Sequence, residues 1–112
     1  MKTLKLHEMV YADITYMSDC AEEIGLSDEA IAFINKTCDA KSQRYRNSVW
    51  YEVKATDEEI TAIIDEVIMD VLDRIEEALE YEFMSKKERQ DTYRMRRIFQ
   101  KWIDENKITK SN

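Results

Sequence analysis

The sequence predicts an all-α protein, a four-helix antiparallel bundle. Three observations lead there. One glycine and no proline in 112 residues leave hairpins, barrels and sandwiches without their usual turn residues. Apolar side chains recur at three- and four-residue steps through most of the chain, the period of a helix with one buried face. Ser27, Thr56-Asp57-Glu58-Glu59 and Ser85-Lys86-Lys87-Glu88 are helix-start signals, the last two in the form of capping boxes.

Taken in order, the first helix is expected over about 4–24. Leu6, Val10, Met17, Cys20, Ala21 and Ile24 share its apolar face, and Gly25 supplies the left-handed residue that ends it. Ser27 caps the second helix, whose stripe is Ile31, Ile34, Cys38, Tyr45 and Val49. Where that helix stops is open, because Val49-Trp50-Tyr51-Glu52-Val53 consists largely of β-formers and fits an extended segment equally well. The third helix, about 57–84, buries Ile60, Ile64, Val67, Ile68, Val71, Ile75 and Leu79. The fourth, about 86–107, is apolar only in its C-terminal half, at Met95, Ile98, Phe99, Trp102 and Ile103. Short connections imply antiparallel neighbours within one domain, 1–112, with 107–112 as a frayed tail.

Composition excludes several classes of function. Hydrophobic residues at 44% are too many for a disordered chain, and charged residues at 37% are too many for a membrane protein. No apolar run approaches a membrane span, and the early charges of the N-terminus do not suit a signal peptide, so a cytoplasmic protein is expected. Cys20 and Cys38 would stand roughly 10 Å apart along an antiparallel hairpin, too far for a disulfide. They read as free thiols at core spacing.

Nothing points to catalysis, a cofactor or a bound metal. His7 is the sole histidine, so neither a di-iron bundle nor a zinc site can be assembled. The cysteines lack a base, and the serines sit mainly at caps and loops. Glu77-x-x-Glu80 and Glu88-x-x-Asp91 resemble the paired acids of all-α nucleoside-triphosphate pyrophosphatases, which hold Mg²⁺ between facing helices. Here the two pairs lie closer in sequence than that family's pattern, and Lys86, Lys87 and Arg89 interleave with them. Asp13 falls on the apolar side of the first helix, where a carboxylate needs a partner. Lys41 or Arg44 is the expected one.

Charge is segregated. Residues 1–56 carry a net −2, residues 57–84 a net −10 and residues 85–112 a net +5, within a total of −7. On the third helix Glu59, Glu66, Asp70, Asp73, Glu77 and Glu80 recur at helical steps opposite the isoleucines. The fourth carries Lys86, Lys87, Arg89, Arg94, Arg96, Arg97 and Lys101. One reading pairs the two helices internally, with Glu80 level with Arg89 and Asp73 level with Arg96. The other gives the acidic stripe to a partner.

The function expected is therefore non-enzymatic binding of another protein, as inhibitor or adaptor. The contact surface would be either Glu66, Asp70, Asp73, Glu77 and Glu80, or the exposed aromatic and basic surface near residues 44–51, with Trp50 and Tyr51 as anchors. In character, though without a shared motif, such a chain is similar to the small acidic inhibitors of phages and mobile elements, anti-CRISPR proteins among them, which mimic the phosphates of nucleic acid. A homodimer is also compatible with two long amphipathic helices. The alternative is a nucleic-acid-binding regulator. Met17 to Lys36 resembles the helix-turn-helix of DNA-binding proteins, with Ala21, Gly25, Ile31 and Ile34 at its small, turn and buried positions. That resemblance implies a steep crossing of the first two helices and a recognition helix over 27–36. The residues then facing the bases, Ser27, Asp28, Glu29, Ala32 and Phe33, include two acids where base reading needs Arg, Lys, Asn or Gln. The basic stretch 86–101 is the other candidate for phosphate contact.

Overall fold

Residues 2–7 are a strand. Leu4 and Leu6 are buried while Thr3 and Lys5, each one residue before them, are exposed, the alternation of an extended chain with one face inward. The structure, a computed structural model, describes residues 1–108. It begins with β1 (Lys2–His7) and α1 (Glu8–Tyr16), and a 3₁₀ turn (Met17–Asp19) follows. Next come α2 (Asp28–Cys38), β2 (Lys41–Tyr45) and β3 (Ser48–Ala55). Then α3 (Asp57–Ile63), a π-helical turn (Ile64–Ile68) and α4 (Met69–Tyr81) run on as one long helix, and α5 (Lys86–Asn106) closes the series. Four helical bodies therefore pack with a three-stranded antiparallel sheet of order β1-β3-β2. The all-α four-helix bundle is overturned, and the fold is mixed α and β.

The error lies in residues 2–55. Leu6 and Val10 do stand four apart, but that step crosses a strand–helix junction at His7, whose Nδ1 accepts from the Met9 amide and caps α1. β1 pairs antiparallel with β3, setting Leu4 against Val53 and Leu6 against Tyr51. The open segment 49–53 is the middle of that central strand. The expected second helix runs through β2 by way of Tyr45; all five β2 residues are exposed, so no strand alternation marks it.

The β2–β3 hairpin turns at Arg46–Asn47 without glycine, its flanking residues Tyr45 and Ser48 paired. Arg46 holds φ 56°, in the left-handed region that costs an L-residue about 1–2 kcal/mol. Arg46→Gly is expected to relieve that strain. Set against the added freedom of the unfolded chain, the net gain is up to about 1 kcal/mol. A thermal melt checks it, and an unchanged or lower midpoint counts against a strained turn.

The helix-turn-helix arrangement is also overturned. α1 ends at Tyr16, and residues 20–25 are a succession of turns. Gly25 does adopt φ 80°. Leu26 N–H donates to the Ala21 carbonyl and Gly25 N–H to that of Glu22, the two bonds of a Schellman motif. The glycine thus closes a single turn, where the resemblance needed the end of a helix.

The cap signals place the helix starts, although the box expected at Ser85 is realised only as the Ser85 side-chain cap, with the Ser85 hydroxyl bonded to the Glu88 carboxylate. Ser27, Thr56 and Ser85 cap α2, α3 and α5, and Thr56 with Glu59 forms a complete capping box. The core lies between the inner face of the sheet (Leu4, Leu6, Val53, Ala55) and the helices. Fully buried Phe33, Ile60, Ile63 and Ile68 lie at its centre, and α5 joins through Phe99, Trp102 and Ile103. Of the frayed tail, Lys107 and Ile108 follow α5 without regular structure; 109–112 lie outside the described residues.

Candidate functional site

The acids of the long helix divide at its π-helical turn. There the Met69 amide bonds to the Ile64 carbonyl, five residues back, and the helix widens locally. Up to and within the turn, two acids, Glu59 and Glu66, face α2. Glu59 is buried, accepts from the Thr56 amide and meets Lys36 Nζ at 2.6 Å. Burial would push its carboxyl up, but the Lys36 and Thr56 hydrogen bonds outweigh that and hold it below its usual value. Glu66 accepts from both the Ser27 amide, at 2.8 Å, and the Ser27 hydroxyl, so it is committed to holding α2. Beyond the turn, Asp70 takes Arg74 one helical turn on. Asp73, Glu77 and Glu80 are exposed and have no ion pair among the described residues.

The two charged helices scarcely neutralise each other. Neither Asp73–Arg96 nor Glu80–Arg89 forms. Arg96 Nε instead meets Glu76 at 3.2 Å, and Arg89 Nη1 donates to the Leu79 carbonyl at 3.1 Å, satisfying an acceptor in the last turn of α4. Trp50 and Tyr51, named together, point to opposite sides of β3, as successive strand residues must. Tyr51 stacks on Tyr11 at 3.5 Å between centroids, on the side of Leu6. Trp50 lies on the other side, its ring 5.1 Å from His7 and perpendicular to it. Neither ring joins the acidic stripe.

On Trp50's side the sheet and α5 enclose a groove of about 940 Å³. Arg94, Arg97 and Lys101 line it from α5, and Lys5 and Arg44 from the strands. One carboxylate, Glu105, faces these five cations; it stands 3.8 Å from Lys101. The other four cations have no ion pair among the described residues. Lys86 and Lys87 lie apart, exposed at the start of α5. Across the groove floor runs one sheet row, since Trp50 is paired with His7 on β1 and with Gln43 on β2. His7 is buried, and burial lowers its pKa; Glu8 opposes that shift and Arg94 adds to it. Because its Nδ1 accepts from the Met9 amide, the neutral ring carries its proton on Nε2. Trp102 closes one side, its indole N–H donating to the Lys5 carbonyl at 3.2 Å.

No family model, curated protein or solved structure matches the chain.

Other expectations resolve locally. Among the described residues no three of His, Cys, Asp or Glu come together as a metal-binding group, Glu77, Glu80, Glu88 and Asp91 included. No described helix is long and apolar enough to cross a membrane. Cys20 and Cys38 are free, and Cys38 is exposed where core packing was expected. Asp13 pairs with neither Lys41 nor Arg44. Burial raises its carboxyl, and Arg74 is the cation that partly offsets this. In the middle of α2, Phe33 is wholly buried, so it cannot face a base. Lys5, His7 and Gln43 are site residues that the sequence reading misses, while Arg44 falls at the edge of the expected surface near residues 44–51. The alternation of residues 2–7 was the one signal that could have placed the first two.

Proposed function

We propose that the chain is a non-enzymatic binding protein that holds nucleic acid in the groove between α5 and the sheet. One observation carries this: five cations gather around a single groove of a chain whose net charge is −7. Gathering like charges works against folding unless a ligand neutralises them, and a phosphate backbone does so while releasing its counterions. The basic stretch 86–101 is thus retained as the binding helix, through Arg94, Arg97 and Lys101, and residues 27–36 are not. A cytoplasmic setting accompanies this reading, since both cysteines are free thiols.

The test is an electrophoretic shift with generic oligonucleotides at about 50 and 200 mM salt, a range over which phosphate contacts weaken steeply. A salt-sensitive shift is expected, and the double variant Arg97→Glu, Lys101→Glu should abolish it with helicity unchanged. No shift at the lower salt overturns the proposal.

A second reading, attachment to another protein through α4, draws on a separate observation. Asp73, Glu77 and Glu80 are exposed without ion pairs among the described residues, and Tyr81 at the end of the same helix and Phe83 just beyond it stand exposed. An acidic rim with aromatic anchors suits a basic protein partner or a second copy of this chain. Reversing those three acids to Lys should then abolish association, read by sedimentation or capture, and leave oligonucleotide binding intact. Association that survives the reversal removes α4 from the account.

A further inference from the structure

The groove offers more than charge. Its floor is the row His7–Trp50–Gln43, an indole flanked across the sheet by an imidazole and an amide. We infer that the groove takes a single strand, one base stacking on Trp50 with its edge met by His7 and Gln43, while Arg94, Arg97 and Lys101 follow the phosphates. This rests on the nucleic-acid reading above and deepens it.

Three features point to a single strand. An aromatic ring in a basic groove attracts any base whose face is free. In a duplex those faces are covered by their neighbours, and reaching one requires flipping it out. The groups beside the ring also have complementary hydrogen-bonding capacity. His7, its Nδ1 already accepting from the Met9 amide, has Nε2–H left to donate, and Gln43 can donate and accept. Finally, Arg94, Arg97 and Lys101 stand three and four residues apart on α5, so they form one stripe with steps of about 4.5 and 6 Å along the axis. Such a stripe can track a backbone lying beside the sheet. An acidic peptide would satisfy the cations and leave the ring and its two polar neighbours without a role.

Fluorescence anisotropy with short labelled oligothymidylate, against the same strand annealed to its complement, tests this at about 50 mM salt. The single strand is expected to bind at least tenfold more tightly and to quench tryptophan emission, with a log–log salt slope near −2 for three phosphates at about −0.7 each. Trp50→Leu should weaken binding by about 5- to 100-fold, the effect of losing one stacked base, and abolish the quench; Trp50→Phe should retain most of the affinity. Gln43→Ala, on an exposed strand, should leave the fold intact and flatten the preference among oligothymidylate, oligoadenylate and oligocytidylate. If Trp50→Leu fails to fold, the wild-type quench and the Gln43→Ala profile decide.

Equal affinity for duplex, with no quench and no effect of Gln43→Ala, overturns the stacked strand and leaves the groove as a phosphate site. Binding of polyglutamate with no binding of either nucleic acid overturns both.

Discussion

Trp102→Ala is expected to lower stability by about 3–5 kcal/mol, the range for removing a buried aromatic side chain. The indole is 3% exposed, meets the edge of Phe33 at 6.5 Å and donates to the Lys5 carbonyl. Alanine therefore leaves a cavity where α5 meets the core and breaks a bond that ties α5 to β1. Against a typical domain stability of about 5–15 kcal/mol, this is a large fraction. Urea unfolding should show a lower midpoint at unchanged slope, and oligonucleotide affinity should fall with it, because one wall of the groove loses its anchor. Trp102→Phe keeps most of the packing and should lose about 1 kcal/mol for the hydrogen bond. A loss below about 1.5 kcal/mol for the alanine variant would show that Phe99 and Ile103 hold α5 without it.

Glu59→Ala is expected to cost about 2 kcal/mol: roughly 1 for the cap of α3 and the rest for leaving Lys36 without its partner. Lys36 is one-third exposed, so solvent screens part of the second loss. Glu59→Gln preserves the box, since glutamine serves at that position, and should cost less. The pH dependence has a definite sign. The folded carboxyl sits below its ordinary 4.5, so its contribution is full above that value and fades as pH falls through the folded pKa. The gap in melting temperature between wild type and Glu59→Ala should be constant from neutrality to about pH 5 and narrow on further acidification. A gap that widens in acid would contradict the paired, ionised carboxylate.

What could be read in advance follows the range of the interaction involved. Caps act within four residues, so Ser27, Thr56 and Ser85 announced their roles in sequence, whereas Gly25 announced only its left-handed backbone and closes a turn, not the first helix. The long helices from Asp57 onward declared themselves by period, although nothing local announced the π-helical turn. β1 was lost because its alternation is short and Leu6 leads on into a true helical face at Val10. β2 was lost because an exposed edge strand owes its conformation to β3. A single glycine and no proline misled for a specific reason: Arg46 occupies the left-handed turn position itself, at some cost. The groove shows the same limit more sharply. Arg94, Arg97 and Lys101 were legible as a basic stretch, and Trp50 as an aromatic of interest. Their meeting depends on pairing β1 with β3 and laying α5 against β1.

That last contact has a consequence for timing. The Lys5 carbonyl receives its hydrogen bond from an indole 97 positions later, so the groove's walls come from the first and last described elements. A chain emerging from the ribosome can form the β2–β3 hairpin and the α2 contacts early, as local structure. It has no groove until residues 94–102 have been synthesised and docked. On the nucleic-acid reading proposed above, the chain could not engage its ligand during translation, although the messenger RNA lies close by. The groove thus forms as a single late event, coincident with completion of the core.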